Sequence, residues 1–269
     1  MFTTLCILSY LCVLFVALPL IKSDFWIFRS LEYSRFQNFL LCILIIGLWG
    51  VYFTFYNKLD YTALSLNIIC LIYLLIKIIP YTVFSAKEVK DIKSRKTDSE
   101  LKIINANVLQ YNTQYNRLLN QLSAYHADII LLLETDHKWM ENVQSLKKDY
   151  PFHIEVPQDN TYGMLFYSKL EIRDQEINFL VKNDIPSIYC KIILKDNTEV
   201  KLWGLHPEPP VPGEELTSTA KDKELAKVAL MVKDSNEPCI VMGDLNDVAW
   251  SSTTSLFTKT SGLLDVRKG

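Results

Sequence analysis

The chain has 269 residues, of which 49% are apolar and 22% charged, with 8 Gly and 10 Pro. That composition excludes a disordered or collagen-like chain, and the length suggests about one to two domains. The net charge of −2 is unevenly spread: residues 1–84 carry five basic and three acidic groups, leaving 23 basic and 27 acidic groups after them, so the later part offers no broad basic face for nucleic acid.

Three stretches near the N-terminus are apolar enough to cross a bilayer. Residues 2–21 and 36–56 hold no charge, and residues 61–84 hold only Lys77, near their end. Each supplies about the 20 residues that a spanning helix needs. The first lacks the basic start and small-residue cleavage site of a signal peptide, so it reads as a retained helix. Trp26, Tyr33, Trp49, Tyr52, Tyr56 and Tyr61 fall near the ends of these stretches, where amphipathic rings favour the headgroup zone. Three spans put the loop 22–35, with Lys22, Arg29 and Arg35, on the same face as Lys87, Lys90, Lys93, Arg95 and Lys96. The positive-inside rule then makes that face cytoplasmic, a periplasmic or extracellular face being the alternative. Residues 1–84 are thus expected to form a membrane domain, residues 85–100 a charged linker, and residues 101–269 a soluble domain.

The soluble part opens with a strand at 101–109, a helix at 116–125 and a buried strand at 128–133. A helix at 137–149 is expected next, with Asp136 as its N-cap, Trp139, Val143 and Leu146 on one face, and Pro151 as its stop. Residues 163–168, 172–180, 187–194 and 199–206 read as strands without helices between them, with a tight turn at Asp196-Asn197. A helix returns at 219–233, and a strand at 239–243 runs into Asp244-Leu245-Asn246. Helical crossovers at both ends and hairpins in the middle predict an α/β fold of two packed mixed β-sheets flanked by helices. The six cysteines lie in apolar runs without a CxxC and read as small buried hydrophobes.

Ligands collect where strands of α/β sheets end. Four strand ends carry chemistry-bearing residues: Asn107; Glu134; His206, followed by Pro207, Pro209 and Pro210; and Asp244 with Asn246. Each alone fits a turn, a helix cap or a loop hydrogen bond. Together they supply what phosphoester hydrolysis needs: oxygens for a hard divalent cation, a carboxylate to align water, and donors for the developing charge.

The segments NVL at 107–109, LLLE at 131–134, GMLFYS at 163–168, LHPEPP at 205–210 and GDLND at 243–247, in that order, resemble the endonuclease/exonuclease/phosphatase (DNase I-like) superfamily. The three spans resemble those of a bacterial membrane-anchored subgroup. The resemblance implies a phosphodiesterase-, nuclease- or phosphatase-type hydrolase dependent on Mg²⁺ or Mn²⁺. It makes Glu134 the metal-binding glutamate and Asn107 the amide beside that metal. It makes His206 the histidine at the scissile phosphate, Asp244 the aspartate that activates water, and Asn246 the amide that holds the phosphate or that aspartate. The family usually has Gln before the glutamate and Thr or Asn before the histidine; here they are Leu133 and Leu205. The family's closing Asp-His pair has no counterpart, since the only Asp-His dipeptide is Asp136-His137 beside Glu134. The domain is therefore expected to lack its C-terminal part. The expected substrate is a phosphoester, either a membrane lipid phosphate or nucleic acid, and the expected surroundings are a lipid bilayer with no protein partner singled out. The alternative is a catalytically impaired family member acting as a membrane-bound binding module.

Overall fold

The computed structural model describes residues 2–52, 57–91, 99–211, 214–233, 235 and 237–269. The end of the expected second span (53–56) and the middle of the expected linker (92–98) lie outside them.

The N-terminal third holds four helices: α1 (Phe2–Ala17), α2 (Trp26–Tyr33), α3 (Arg35–Tyr52) and α4 (Lys58–Ile78). α4 begins with a capping box, in which Asn57 and Asp60 satisfy each other's backbone N–H groups. α1, α3 and α4 form a bundle whose interior includes Cys12, Cys42, Trp49, Ala63 and Leu74. Polar groups also face inward. Ser9 and Asn67 are fully buried. Trp49 donates to Ser9 Oγ at 3.0 Å, and Asn67 Nδ2 donates to the carbonyls of Ser9 and Ala63. The outer faces are apolar and exposed, with Leu8, Leu11, Leu44, Ile69, Ile72 and Ile76 among them. Of the three expected spans, two are long and apolar enough to cross a membrane: Arg35–Tyr52 with 18 residues and Lys58–Tyr81 with 24. The first expected span is represented by a shorter apolar helix, Thr4–Leu20, whose last turn, Leu18–Leu20, is a 3₁₀ turn around Pro19.

The remainder is a four-layer α/β sandwich. One sheet contains β1 (Ile103–Asn107), β2 (Ile129–Leu133), β3 (Phe152–Val156) and β4 (Met164–Ser168), in the order β1-β2-β4-β3. The other contains β5 (Ile172–Asn178), β6 (Ser187–Ile193), β7 (Glu199–Leu205) and β8 (Cys239–Gly243), in sequential order. Each sheet is mixed: β1 is parallel to β2, and β7 is parallel to β8, while the other pairings are antiparallel. All five residues of β2 are fully buried, as expected for a strand covered on both faces. Its alternate residues serve two cores. Ile129, Leu131 and Leu133 meet Phe166, Ile188, Cys190 and Leu202 between the sheets. Ile130 and Leu132 meet Leu122, Trp139 and Val143 on the outside. Leu122 comes from α5 (Tyr115–Tyr125), and Trp139 from α6 (His137–Asn142). On the opposite outer face, α7 (Thr219–Lys233) and α8 (Ser252–Ser261) cover Trp203 and Leu205. Each fully buried Leu, Ile or Phe side chain contributes about 1.5–3 kcal/mol.

Three elements differ from the sequence expectation. The helix expected over 137–149 stops at Asn142, and a 3₁₀ turn covers Gln144–Lys148. Trp139, Val143 and Leu146 are nevertheless all buried, so the apolar stripe holds while the backbone tightens, and Asp136 caps the helix as expected by accepting from Trp139 N at 2.8 Å. β3 and α8 are additional. β3 is an edge strand whose first two residues, Phe152 and His153, are exposed.

Candidate functional site

The expected site residues lie where β1, β2, β7 and β8 end. The two sheets meet at this edge, where Asn105 Nδ2 donates to the Gly243 carbonyl at 3.0 Å. The Asn107 amide stands between the two carboxylates that follow β2 and β8. Its Nδ2 donates to Glu134 Oε1 at 2.6 Å and to Asp244 Oδ2 at 3.2 Å. Its oxygen accepts from Leu109 N at 3.1 Å, an Asx-type turn that fixes the amide plane. Asp244 Oδ1 also accepts from Asn246 N at 3.1 Å, and Asn246 Nδ2 donates to the Pro207 carbonyl at 2.8 Å. The β7 and β8 ends are thereby tied together beside His206.

The backbone at this edge adopts uncommon conformations. Glu134 has φ 59°, Asn246 φ 48° and Leu109 φ 59°. L-residues occupy the left-handed region only where surrounding structure holds them, and such residues cluster at functional sites. Behind Glu134, buried Thr135 is clamped by Gly163: Thr135 N donates to the Gly163 carbonyl at 3.1 Å, and Thr135 O accepts from Gln158 N at 3.1 Å. A Cβ on Gly163 would lie 1.9 Å from Thr135 O, which explains the glycine that opens GMLFYS.

His206 is 3% exposed. Burial pushes its imidazole below the usual histidine range, while the nearby charges of Asp244, Glu134 and Glu214 pull the other way. Its Nδ1 has no hydrogen-bond partner among the described residues. Tyr162 packs on the ring, with centroids 5.2 Å apart, and donates its hydroxyl to Glu214. Burial, and then that carboxylate, push the Tyr162 phenol well above its ordinary range.

The sequence reading placed Tyr33 only as an interfacial ring and did not single out Tyr162, Asn105, Lys221 or α2. α2 docks against the loop that leaves Asp244. Tyr33 donates to the Asn246 carbonyl at 2.6 Å, and Trp250 Nε1 donates to the Glu32 carbonyl at 2.9 Å. Arg35 donates to the Trp250 carbonyl and pairs with buried Glu32 at 2.8 Å. From the other side, Lys221 of α7 pairs with Asp247 at 2.6 Å, both about fully buried. The left-handed Asn246 is thus held from above and below. We expect Tyr33→Phe to lower stability by about 0.5–1.5 kcal/mol, the worth of one hydrogen bond, read as a shift of the chemical-denaturation midpoint; an unchanged midpoint would show that the contact carries no stability.

As a cation site, the donor set suits a hard divalent ion. Two carboxylates sit against one amide, and among the described residues neither pairs with a lysine or arginine within 4.0 Å. Like charges held side by side favour a cation between them, and carboxylate and amide oxygens are what Mg²⁺, Mn²⁺ and Ca²⁺ take. Among the described residues no three His, Cys, Asp or Glu side chains cluster as metal ligands; the carboxylates are the oxygens on offer, since Asn107 turns its Nδ2 to them and its oxygen to Leu109 N.

The fold is found in proteins of known structure. The chain resembles a β-hairpin deletion mutant of beta toxin from Staphylococcus aureus at 20% identity and a TM-score of 0.50, covering 62% of this chain and 75% of that one. It resembles the human nocturnin catalytic domain with bound sulfate anion at 18% identity and a TM-score of 0.50, covering 60% of this chain and 70% of that one. At these identities the likeness is one of fold. No curated protein matches the chain. The sequence model of the Endonuclease/Exonuclease/phosphatase family matches residues 99–268, well over half of the chain, and the chain belongs to that family.

Proposed function

We propose that the protein is a membrane-anchored, divalent-metal-dependent phosphoesterase whose centre lies between Glu134 and Asp244. The observation that carries this reading is the meeting of both carboxylates on the Asn107 amide, from strands far apart in sequence. Glu134, with Asn107 beside it, holds Mg²⁺ or Mn²⁺. When bound, the ion offsets negative charge on the phosphate oxygens. Asp244, fixed by Asn107 and the Asn246 N–H, orients a water molecule for in-line attack and accepts its proton. Burial keeps His206 neutral near pH 7, so the imidazole donates a hydrogen bond to the phosphate or the leaving oxygen without adding fixed charge. The Asn246 amide steadies the same region.

One feature supports the anchor. Apolar side chains cover the outside of the helical bundle while Ser9 and Asn67 lie within it, the arrangement that lipid-facing helices take. α1, although short, accompanies α3 and α4 as a third span, so that residues 1–84 form the membrane domain and residues 101–269 the hydrolase domain. Loop charge then puts the hydrolase domain in the cytoplasm. Tethering favours a phosphoester at the membrane, with a lipid phosphate preferred to duplex DNA because the domain has no broad basic face. A second reading, a binding module with little turnover, is favoured only by the small set of carboxylates at the site.

Cleavage of bis(4-nitrophenyl) phosphate by the full chain in phosphatidylcholine vesicles tests the reading. We expect turnover that needs Mg²⁺ or Mn²⁺ and stops on chelation. A folded chain that binds the metal without turnover would favour the binding module.

A further inference from the structure

A cavity of about 740 Å³ opens where the helical bundle meets the α/β sandwich. Its floor comes from the α4 end at Tyr73 and Lys77, and its walls come from the α1–α2 connection and the start of α8. It is distinct from the Glu134–Asp244 centre, and none of those two carboxylates' partners lines it. Four cations face it: Lys22, Arg29, Arg35 and Lys77. The two arginines are already engaged, Arg35 by Glu32 at 2.8 Å and Arg29 by Asp222 at 3.0 Å. The other lining carboxylate, Asp24, accepts from Thr219 Oγ. The two lysines are different. Among the described residues neither has a carboxylate within 4.0 Å, and Lys77 lies over the Tyr73 ring, its ammonium 6.0 Å from the ring centroid. Arg29 Nε is buried without a hydrogen-bond partner. The α8 start is already occupied by the Glu32 carboxylate, which accepts from Ser252 N, and the Ser255 hydroxyl donates to the Ser251 carbonyl, so the charge for a ligand is left to the two lysines.

The lining is graded as well as charged. Pro19, Leu20 and Ile21 give it an apolar side, continuous with the exposed apolar faces of α1 and α4. The cations lie beside it on the helical part, Lys22 directly after Ile21 and Lys77 near the end of α4, and the serines of the α8 start face them from the sandwich. A free inorganic anion has no use for the apolar side, whereas a phospholipid occupies both. We propose that this cavity binds the phosphate headgroup of an anionic phospholipid, with Lys22 and Lys77 as its charge partners. The inference rests on the bilayer part of the function proposed above and is independent of catalysis. Its consequence is local: Trp250 and Ser251 line the cavity and belong to the loop that leaves Asp244, so a seated headgroup braces that loop.

The test uses native mass spectrometry of the detergent-purified full chain. The probes are phosphatidylglycerol and phosphatidylcholine with the same acyl chains, and inorganic phosphate. We expect phosphatidylglycerol to be preferred, and Lys22→Ala with Lys77→Ala to weaken its binding about thirtyfold. Lys22→Arg with Lys77→Arg should restore the preference. Lys138→Ala with Lys148→Ala, at exposed sites remote from the cavity, should leave it unchanged. Equal binding of the two lipids, indifference to the lysine pair, or equally tight binding of inorganic phosphate overturns the proposal. An alkaline carbonate wash separates the two readings: a chain that washes off the membrane defeats both, and a retained chain with no headgroup preference defeats only the lipid site.

Discussion

Asp244→Ala is expected to lower kcat for phosphodiester cleavage about 10²- to 10⁴-fold, the usual worth of a positioned general base. Glu134→Ala is expected to fail differently. It should raise the metal concentration needed for half-maximal rate by at least about 10²-fold, since even groups that only support metal ligands are worth about 10- to 100-fold. The contrast follows from geometry. Asp244 is oriented by two protein hydrogen bonds, from Asn107 and from the Asn246 N–H, and so is built to be held still. Glu134 accepts from Asn107 alone among the described residues, and so keeps more of its oxygen lone pairs for an ion. Steady-state rates across a Mn²⁺ series, with wild type and both variants, separate the two roles. Equal rates in all three would remove the proposed centre.

Gly243→Ala is expected to be the most damaging small substitution in the domain. Gly243 has φ 138°, a region essentially confined to glycine. An added Cβ would lie 1.8 Å from the Leu205 carbonyl oxygen, a backbone atom of the neighbouring strand. Strand β8 must move away from β7, and with it go the Asn105 bond to the Gly243 carbonyl and the placement of Asp244. We expect a stability loss of about 3 kcal/mol or more together with loss of metal binding. Gly262→Ala is the control. Gly262 ends α8 with φ 74° and open space around it, so the change should cost only about 1 kcal/mol and spare the site. Urea unfolding of the two variants measures the difference; comparable losses would mean that the close approach to Leu205 is relieved at little cost.

Much of the sandwich was legible because burial on both faces leaves unmistakable strings. IILLL in β2 and CIVMG in β8 have no competing reading, and the stripe of Leu225, Val228, Ala229 and Val232 fits a helix covering a sheet. β3 was not legible: Phe-His-Ile-Glu-Val sits at a sheet edge, and its exposed side chains mask the strand. α8 was missed because Ser and Thr dominate it, residues that favour caps and turns over helix interiors. Its start is stabilised from elsewhere, by Ser251 as N-cap and by Glu32 accepting from Ser252 N at 3.3 Å.

The site was legible to the extent that strand ends can be read. Asn107, Glu134, His206, Asp244 and Asn246 were all named from the polar residues that interrupt buried strands, and the structure brings them to one edge. The second support of that edge was not legible. Tyr33 reaches the Asn246 carbonyl at a sequence separation of 213, and no local pattern encodes a contact between a loop helix of the bundle and a loop of the sandwich.

The account depends on Glu134 holding a cation beside Asp244. Calorimetric titration of the full chain in detergent with Mn²⁺ tests this most directly and needs no substrate. The account predicts one ion per chain, with affinity reduced at least about tenfold in Glu134→Gln while the unfolding midpoint stays near wild type. Undiminished Mn²⁺ affinity in Glu134→Gln, in a variant shown to be folded, would contradict it.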